Sequence, residues 1–304
     1  MIKNIKDSII GVLFNIFGIA GTIFGELFQY KLGILLGFFI RLFMTKRREV
    51  TKKNLRLAFP NKSSIEITNM ANESFKNLGI SAVEIASMKF MSDKRILDKI
   101  VSSENESIFE EARMTERPLM FLSSHFNNWE LIGFYSAKTK NITTNMIIKK
   151  QSNAIIDREI NKIRARAGTK TIDMDSAARK IIPIFRNGGF VAMIADQSAR
   201  GEKGVLFPQF FNIPSATYAS PAYLCLKFNA IMIFVVVIRN KVGKYKLYFE
   251  KIESDDLKCD DEGVKILTQR HTTALENIIR QHPTQWVWQH KRWKRMPKGT
   301  SDVY

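Results

Sequence analysis

The sequence is poor in cysteine, which argues against a disulfide framework and against a cysteine nucleophile. Its 304 residues include two cysteines, Cys225 and Cys259, which are too few for a disulfide framework. Cys225 lies in an apolar helical pattern that predicts a buried thiol, and Cys259 lies among carboxylates that disfavour a thiolate. Neither residue is a suitable nucleophile, and the sequence also lacks the Gly-x-Ser-x-Gly elbow of many serine hydrolases.

Histidine is scarce as well, and three of the four histidines predict no metal site. His271, His282 and His290 are separated by eleven and eight residues, and the sequence contains neither HExxH nor CxxC. Zinc sites use several such ligands at characteristic spacings. We therefore expect no metal and no other cofactor. His290 lies among tryptophans, so we expect it to serve in packing or in an interfacial aromatic belt.

Acidic residues are few relative to basic ones. The chain has 47 Lys and Arg against 29 Asp and Glu, which gives a formal net charge of +18. Such an excess suggests a polyanionic partner, which could be nucleic acid, anionic lipid headgroups or an acidic protein. The sequence contains no RNA-recognition signature, helix-turn-helix pattern or zinc finger. We therefore expect lipid or an acidic protein, and no nucleic acid, as partner.

The longest apolar stretch of the sequence lies near its N-terminus. Residues 9–28 contain only Asn15, Thr22 and Glu26 as polar interruptions, and a second apolar run follows at 32–40. About 20 apolar residues are needed to cross a bilayer core, and no small-x-small cleavage site follows them. We expect residues 1–44 to be a retained membrane anchor, made of one span or of a span and an interfacial helix. A buried core hairpin is the alternative.

The chain after this anchor begins with a basic segment and then predicts one α/β domain over residues 45–304. Residues 45–53 are rich in Lys and Arg, which is typical of the cytoplasmic side of a membrane and of contact with anionic lipid. Ser63 and Glu66 form a capping box that starts an amphipathic helix over 64–90.

From residue 118 onward, apolar runs alternate with helical patterns. This alternation predicts a mixed, mostly parallel sheet flanked by helices. The predicted strands cover 119–123, 143–148, 190–195, 231–238 and 246–250. The predicted helices cover 128–138, 153–167, 175–187, 215–228 and 262–280.

One turn of this predicted domain carries the candidate chemistry. It contains LSSHFNNWE, residues 122–130, between the first of these strands and the helix after it. Ligands in α/β sheets bind at the carboxyl ends of strands, often beside helix N-termini. We expect Asn127 or Asn128 to cap the helix and Glu130 to lie in its first turn, where it could hold one imidazole nitrogen of His125. The other nitrogen would then be free to act as a base, and a structural histidine is the alternative.

The same stretch carries a family resemblance. The frame S-x-H-x-x-N-W-E resembles the bacterial lipid A biosynthesis acyltransferases, late enzymes that add lauroyl or myristoyl chains, within the H-x4-D/E glycerolipid acyltransferase superfamily. Three further segments resemble the family in the same order, KKNLRLAFPNKSSIE, FVAMIADQSARGEKGVLFPQFFNIPSATYASPAYL and HPTQWVWQHKRWKRMPKG. The four blocks are distributed over residues 48–299. The sequence departs from the family at Asn127 and Asn212, where glycine is common, but neither departure removes a reacting group.

The resemblance implies a glycerolipid acyltransferase-like fold and a set of catalytic residues. His125 would be the general base, and Glu130 would be its partner. Asp196, at the end of the predicted strand 190–195, would lie beside the same site. It could orient His125 in place of Glu130, or bind the acceptor, and the sequence leaves these alternatives open.

Further residues are expected to bind substrate. Arg164 and Arg166 resemble basic residues of the family that bind the acceptor or stabilise transition-state charge, and a solvated helix face is their alternative. Asn128 and Gln197 are the other expected substrate contacts. The basic segment KRWKR, residues 291–295, could dock an acidic partner or lipid phosphate.

The reaction implied by the resemblance is direct acyl transfer from a thioester to a hydroxyl of a lipid A precursor. Acyl carrier protein would be the donor, with coenzyme A as the alternative. The protein would lie in the inner (cytoplasmic) membrane, with the catalytic domain on the cytoplasmic face. A lysophospholipid, an amino-acid lipid or a glycolipid stays open as acceptor. A non-catalytic lipid-binding protein and a basic nucleic-acid-binding protein are more distant alternatives.

Overall fold

A central sheet organises residues 2–300, 303 and 304, the part of the chain that this computed structural model describes. The strands within this part, in chain order, are β1 (Ile100–Glu104), β2 (Leu119–Ser123), β3 (Asn145–Ile148), β4 (Lys170–Asp173), β5 (Phe190–Ile194), β6 (Val205–Leu206), β7 (Gln209–Phe210), β8 (Ile213–Pro214), β9 (Thr217–Tyr218), β10 (Ile231–Lys241) and β11 (Lys244–Ile252). Seven of them form one sheet in the order β1-β11-β10-β2-β5-β3-β4. Within this sheet only β10 and β11 pair antiparallel.

Helices surround this sheet and extend from it toward the N-terminus. Those of the described residues are α1 (Ile2–Ile23), α2 (Gly25–Phe43), α3 (Thr45–Ala58), α4 (Ser64–Met88), α5 (Asp93–Leu97), α6 (Glu106–Met114), α7 (Glu130–Thr139), α8 (Ala154–Ala167), α9 (Ala177–Arg186), α10 (Ser220–Lys227) and α11 (Asp261–Gln281). The predicted capping box is present at the start of α4, where the side chain of Ser63 accepts from the Glu66 amide and Glu66 accepts from the Ser63 amide.

The sheet separates two hydrophobic cores, because successive side chains of a strand point to opposite faces. Along β2, Met120 and Leu122 lie in one core with residues of α9, α10 and α11. Leu119 and Phe121 lie in the other core with residues of α6, α7 and α8. This arrangement confirms the predicted α/β fold with a mixed, mostly parallel sheet flanked by helices.

The strands that the sequence did not predict lie at the edges of the sheet or in short two-residue pairs. The edge strand β1 is largely exposed, so it lacks the alternation of apolar and polar residues that marks a half-buried strand. The other edge strand, β4, has only four residues. The helix predicted over 215–228 begins only at Ser220, because Thr217–Tyr218 pairs with Val205–Leu206 instead.

The apolar stretch predicted over 9–28 is divided between two helices. The first, α1, ends at Ile23, and α2 begins at Gly25. Gly25 has a φ of +84°, a left-handed conformation that glycine adopts without steric cost and that interrupts a right-handed helix. By length and composition, no single helix among the described residues could cross a bilayer, and α2 could do so only together with α3, across a 97° bend.

The N-terminal helices pack against α4 through glycine. A Cβ atom added at Gly79 would lie 2.2 Å from the carbonyl oxygen of Gly33, and one at Gly37 would lie 2.3 Å from the carbonyl oxygen of Phe75. The backbones of α2 and α4 can approach this closely only because these positions carry no side chain. The outer faces of α1 and α2 leave large apolar side chains exposed, among them Ile23 and Phe43.

Candidate active site

His125 and Asp196 meet at the carboxyl edge of the sheet. Their strands, β2 and β5, pair in parallel, with Ser123 opposite Ile194. Parallel strands present their carboxyl ends at the same edge, and each residue lies two positions beyond its strand. The topology therefore brings together two side chains that are 71 residues apart in the sequence.

Asp196 is a nearly fully buried carboxylate that accepts three hydrogen bonds. Oδ1 lies 2.7 Å from the Nδ1 atom of His125. Oδ2 accepts from the backbone amide of His125 and from the indole Nε1 of Trp286, each at 2.7 Å. The same carboxylate thus holds both the imidazole ring and the backbone of the turn that carries it.

The charges of this pair decide the protonation state of the imidazole. Burial disfavours the charged form of each group, but their mutual attraction and hydrogen bond outweigh it, so the pKa of His125 is raised and the pKa of Asp196 is lowered. Because Asp196 is ionised, Nδ1 of His125 carries a hydrogen. The other nitrogen, Nε2, has no hydrogen-bond partner among the described residues, and 24% of the side chain is exposed. In neutral His125, Nε2 is therefore an available base.

Glu130 contacts an arginine rather than the histidine. Its carboxylate, in the first turn of α7, accepts from Nη2 of Arg164 at 2.6 Å and from Nε at 3.0 Å. This is a bidentate ion pair, and both side chains are at least nine-tenths buried. Of the two carboxylates that the sequence left open as partners of His125, Asp196 is in contact with the imidazole and Glu130 is not. The charge of Glu130 still contributes to the raised pKa of His125, and that of Arg164 opposes it.

The predicted cap of α7 is wrong. Trp129 occupies the N-cap position and makes no side-chain capping hydrogen bond. The amide of Asn127 is turned away from the helix and donates to the carbonyl of Val237 at 2.9 Å. Asn128 is fully buried, and its Nδ2 contacts the sulfur of Met88 at 3.5 Å. Both asparagines thus have partners in other elements, which leaves the first amides of α7 without a side-chain acceptor.

The remaining expected substrate contacts are divided between buried and exposed positions. Arg166 donates to the carbonyl of Met88 at 2.6 Å and forms an ion pair with Asp93 at 3.2 Å, so it ties α8 to the end of α4 and to α5. It therefore does not lie on a freely solvated helix face. Gln197 is exposed, directly after Asp196 at the end of β5.

The basic segment at 291–295 is not a uniformly exposed surface. Arg292 is only 1% exposed and donates to the Ala216 carbonyl at 2.7 Å and to the Thr217 hydroxyl at 2.8 Å. Burial lowers the pKa of its guanidinium to about 10. The expectation that this whole segment docks a partner is therefore wrong for Arg292, whereas Lys294 is exposed.

Two tryptophans of the site were not predicted as functional residues. The ring of Trp129 lies 4.8 Å from the ring of His125 in an edge-on arrangement, and its Nε1 donates to Glu130 at 3.0 Å. Trp286, in contrast, donates to Asp196. Both residues lie in segments that carry the family resemblance, but a single sequence shows no contact between those segments.

Comparisons with known proteins agree on one family. The sequence profile described as bacterial lipid A biosynthesis acyltransferase matches residues 5–295. The lipid A biosynthesis palmitoleoyltransferase of Escherichia coli (strain K12) is 26% identical over 275 residues, covering 90% of this chain and 87% of that protein. The lipid A biosynthesis lauroyltransferase of the same organism is 24% identical over 279 residues, covering 90% and 88%. A lipid A biosynthesis acyltransferase of Haemophilus influenzae is 23% identical over 266 residues, covering 85% and 81%.

Proposed function

The chain belongs to the bacterial lipid A biosynthesis acyltransferase family and is an acyltransferase, and we propose that it moves a fatty acyl chain from an acyl thioester to a hydroxyl of a lipid A precursor. The observation that carries this reaction is the imidazole of His125, whose Nδ1 is paired with buried Asp196 and whose Nε2 has no described partner.

His125 acts as the general base of the transfer. Nε2 takes the proton of the acceptor hydroxyl while the hydroxyl oxygen attacks the carbonyl carbon of the thioester. The carbon–sulfur bond of the tetrahedral intermediate then breaks, and the departing thiolate takes the proton from His125. Asp196 keeps the imidazole in the required tautomer and stabilises the imidazolium that forms between these steps.

The oxyanion of the intermediate is held by backbone amides at the start of α7. The N–H groups of residues 128–130 have no acceptor among the described residues, and they begin three positions after His125. Arg164 is less suited to this task, because its Nε and Nη2 atoms are both bonded to Glu130. Amides at a helix start suit a developing negative charge and need no reorganisation to meet it.

The donor is acyl carrier protein. A strongly acidic carrier suits a chain with a formal net charge of +18, because complementary charge speeds encounter between proteins. The thioester that such a carrier presents is also the substrate that a base-assisted, single-displacement transfer requires.

The acceptor is a membrane lipid, and the enzyme works at the cytoplasmic face of the inner membrane. Exposed apolar side chains on α1 and α2, such as Ile23 and Phe43, support contact with the acyl region of a bilayer. The basic helix α3 follows immediately and suits anionic headgroups. Residues 1–44 then anchor the domain of residues 45–304.

The test is an acyl-transfer assay on purified protein in detergent. The donor is acyl carrier protein that carries a radiolabelled acyl chain. The acceptors are an underacylated lipid A precursor, a lysophospholipid and an amino-acid lipid. We expect label on the lipid A precursor with the wild type, and a loss of about 10²–10⁴-fold or more with His125→Ala, the usual contribution of a general base. The thermal transition of the variant is measured alongside, because the substitution removes the imidazole partner of buried Asp196 and the variant must be folded at the assay temperature.

Three outcomes would change the proposal in different ways. Label on another acceptor alone would keep the reaction and replace the acceptor. Transfer from acyl coenzyme A but not from the carrier protein would replace the donor. Wild-type transfer by folded His125→Ala would exclude the proposed general base.

A further inference from the structure

The turn that carries His125 contains a residue in an unusual conformation. Asn127 has a φ of 47°, in the left-handed region that few residues other than glycine, asparagine and aspartate adopt readily. It is 2% exposed, and every polar atom of its amide has a partner. Its Nδ2 donates to the Val237 carbonyl at 2.9 Å and to Oε1 of Gln285 at 2.5 Å. Its Oδ1 accepts from Arg239 at 3.1 Å.

Arg239 connects this turn to the rest of the fold. Its guanidinium, only 6% exposed, donates to Asn77 at 2.6 Å, to Glu84 at 3.2 Å and to the Tyr245 hydroxyl at 2.9 Å. Asn77 and Glu84 belong to α4, and Tyr245 belongs to β11. Through Arg239, the amide of Asn127 is therefore bonded to a helix and two strands at once.

The C-terminal segment supports the turn from another side. The backbone N–H of Asn127 donates to the Gln285 carbonyl at 3.2 Å, and the N–H of Val287 donates to the His125 carbonyl at 3.1 Å. The side chain of Gln285 also bonds both the N–H and the carbonyl of Arg239. The backbone of His125 is thus fixed by Asp196 on one side and by Asn127 and its partners on the other.

We propose that Asn127, anchored by Arg239 and Gln285, is a positioning residue for acyl transfer: it sets the place of the His125 backbone so that the imidazole meets Asp196. This inference rests on the proposed function, because it gives His125 the role of base. Asn127 touches no reacting atom in this scheme. It acts through the turn, two residues after the base.

The decisive variant is Asn127→Gly. Glycine tolerates the positive φ and keeps the backbone hydrogen bond to Gln285, so only the three amide contacts are lost. We expect kcat to fall about 10–100-fold, since small misplacements of a catalytic group have effects of this size, while KM for donor and acceptor changes less than about twofold. The acid limb of the kcat/KM profile should move to lower pH, because a looser contact with Asp196 removes part of what raises the pKa of His125.

The matched control is Asn105→Gly. It makes the same substitution at another asparagine with a positive φ, 58°, which follows β1 at the opposite edge of the sheet and whose Nδ2 donates to the Phe249 carbonyl. We expect wild-type kcat and an unmoved acid limb. An Asn127→Gly enzyme with wild-type kcat and acid limb would overturn the inference, as would equal losses of kcat in the two variants with unmoved limbs. Transfer that survives His125→Ala would instead overturn the proposed function, and this inference with it.

Discussion

Two buried ion pairs flank the turn after β2, and they differ in what their charges can do. His125 pairs with Asp196 at 2.7 Å, and Arg164 pairs with Glu130 at 2.6 Å. The two carboxylates are almost equally buried. An arginine stays charged at every accessible pH, whereas an imidazole gains and loses its proton near neutrality. Only the first pair can therefore take part in proton transfer, while the second holds the start of α7 against α8.

The exposure of the two cations strengthens this distinction. About a quarter of the His125 side chain is exposed, against 9% of Arg164. Nε2 of His125 has no hydrogen-bond partner among the described residues. Arg164, in contrast, donates from Nε and Nη2 to Glu130 and from Nη1 to Asn161 at 3.3 Å. In the proposed reaction, a substrate hydroxyl can approach Nε2 of His125 without breaking a bond between the described residues. At Arg164 it would have to compete with a bidentate carboxylate.

The largest expected difference comes from neutralising each carboxylate in turn. We expect Asp196→Asn to lower kcat by about 10²–10⁴-fold at all pH values, because an amide that donates to Nδ1 would favour the wrong tautomer. The measurement is single-turnover acyl transfer between pH 6 and 9. A loss of less than about fivefold at pH 8 would show that Asp196 is not the group that orients the base.

Glu130→Gln should act first on stability. The change leaves the guanidinium of Arg164 buried without a counter-charge, and breaking such a pair typically costs about 3–5 kcal/mol. We expect a clearly lower urea midpoint, and recovery of much of this loss in the double variant Glu130→Gln/Arg164→Met. Chemical denaturation of the four proteins gives the coupling energy. Losses that simply add would mean that the two side chains do not act as a pair.

The pH dependence of kcat/KM gives a smaller effect that also distinguishes the two ion pairs. The proposed reaction requires the free base form of His125, and the pKa of this residue is raised above the ordinary 6.5. Wild-type kcat/KM should therefore rise about tenfold per pH unit up to a point above pH 6.5 and then level off. In Glu130→Gln this acid limb should move to lower pH, because a negative charge that raises the pKa is removed while Arg164 remains. An acid limb that stayed in place would mean that the charge of Glu130 does not affect the pKa of His125.

Much of the fold could be predicted from the sequence, because buried strands and amphipathic helices leave periodic patterns. The central strands β2, β5 and β10 were found for this reason. The edge strands β1 and β4 were missed, because exposed or very short strands carry little of that pattern. The break at Gly25 was also missed, since an apolar run shows length but not where a helix ends.

The sequence singled out the residues of the candidate site but not the way in which they pair. Position along the chain favours Glu130 as the partner of His125, because only four residues separate them. The partner in contact is Asp196, and this pairing depends on which strands are neighbours, which a single sequence does not show. The contacts of Asn127 are hidden for the same reason, since its partners come from β10 and from the C-terminal segment.

The smallest and most specific test uses one substitution at two tryptophans. Trp286→Phe removes the indole donor to Asp196, and Trp129→Phe removes the indole donor to Glu130. Each carboxylate keeps its other donors. Each change deletes one hydrogen bond to a carboxylate, worth about 1.5–3 kcal/mol when one partner is charged. Both variants should thus be destabilised to a similar degree.

Their pH profiles should nevertheless differ. With one donor fewer, the charge of Asp196 is less neutralised and attracts the imidazolium more strongly, so the acid limb of Trp286→Phe should move to higher pH. The same loss at Glu130 falls on a carboxylate whose charge is largely balanced by Arg164, so Trp129→Phe should leave the limb almost unmoved. Equal shifts in the two variants would mean that both carboxylates are coupled to His125. The ion pair of Glu130 and Arg164 would then influence the pKa of His125 as strongly as Asp196 does.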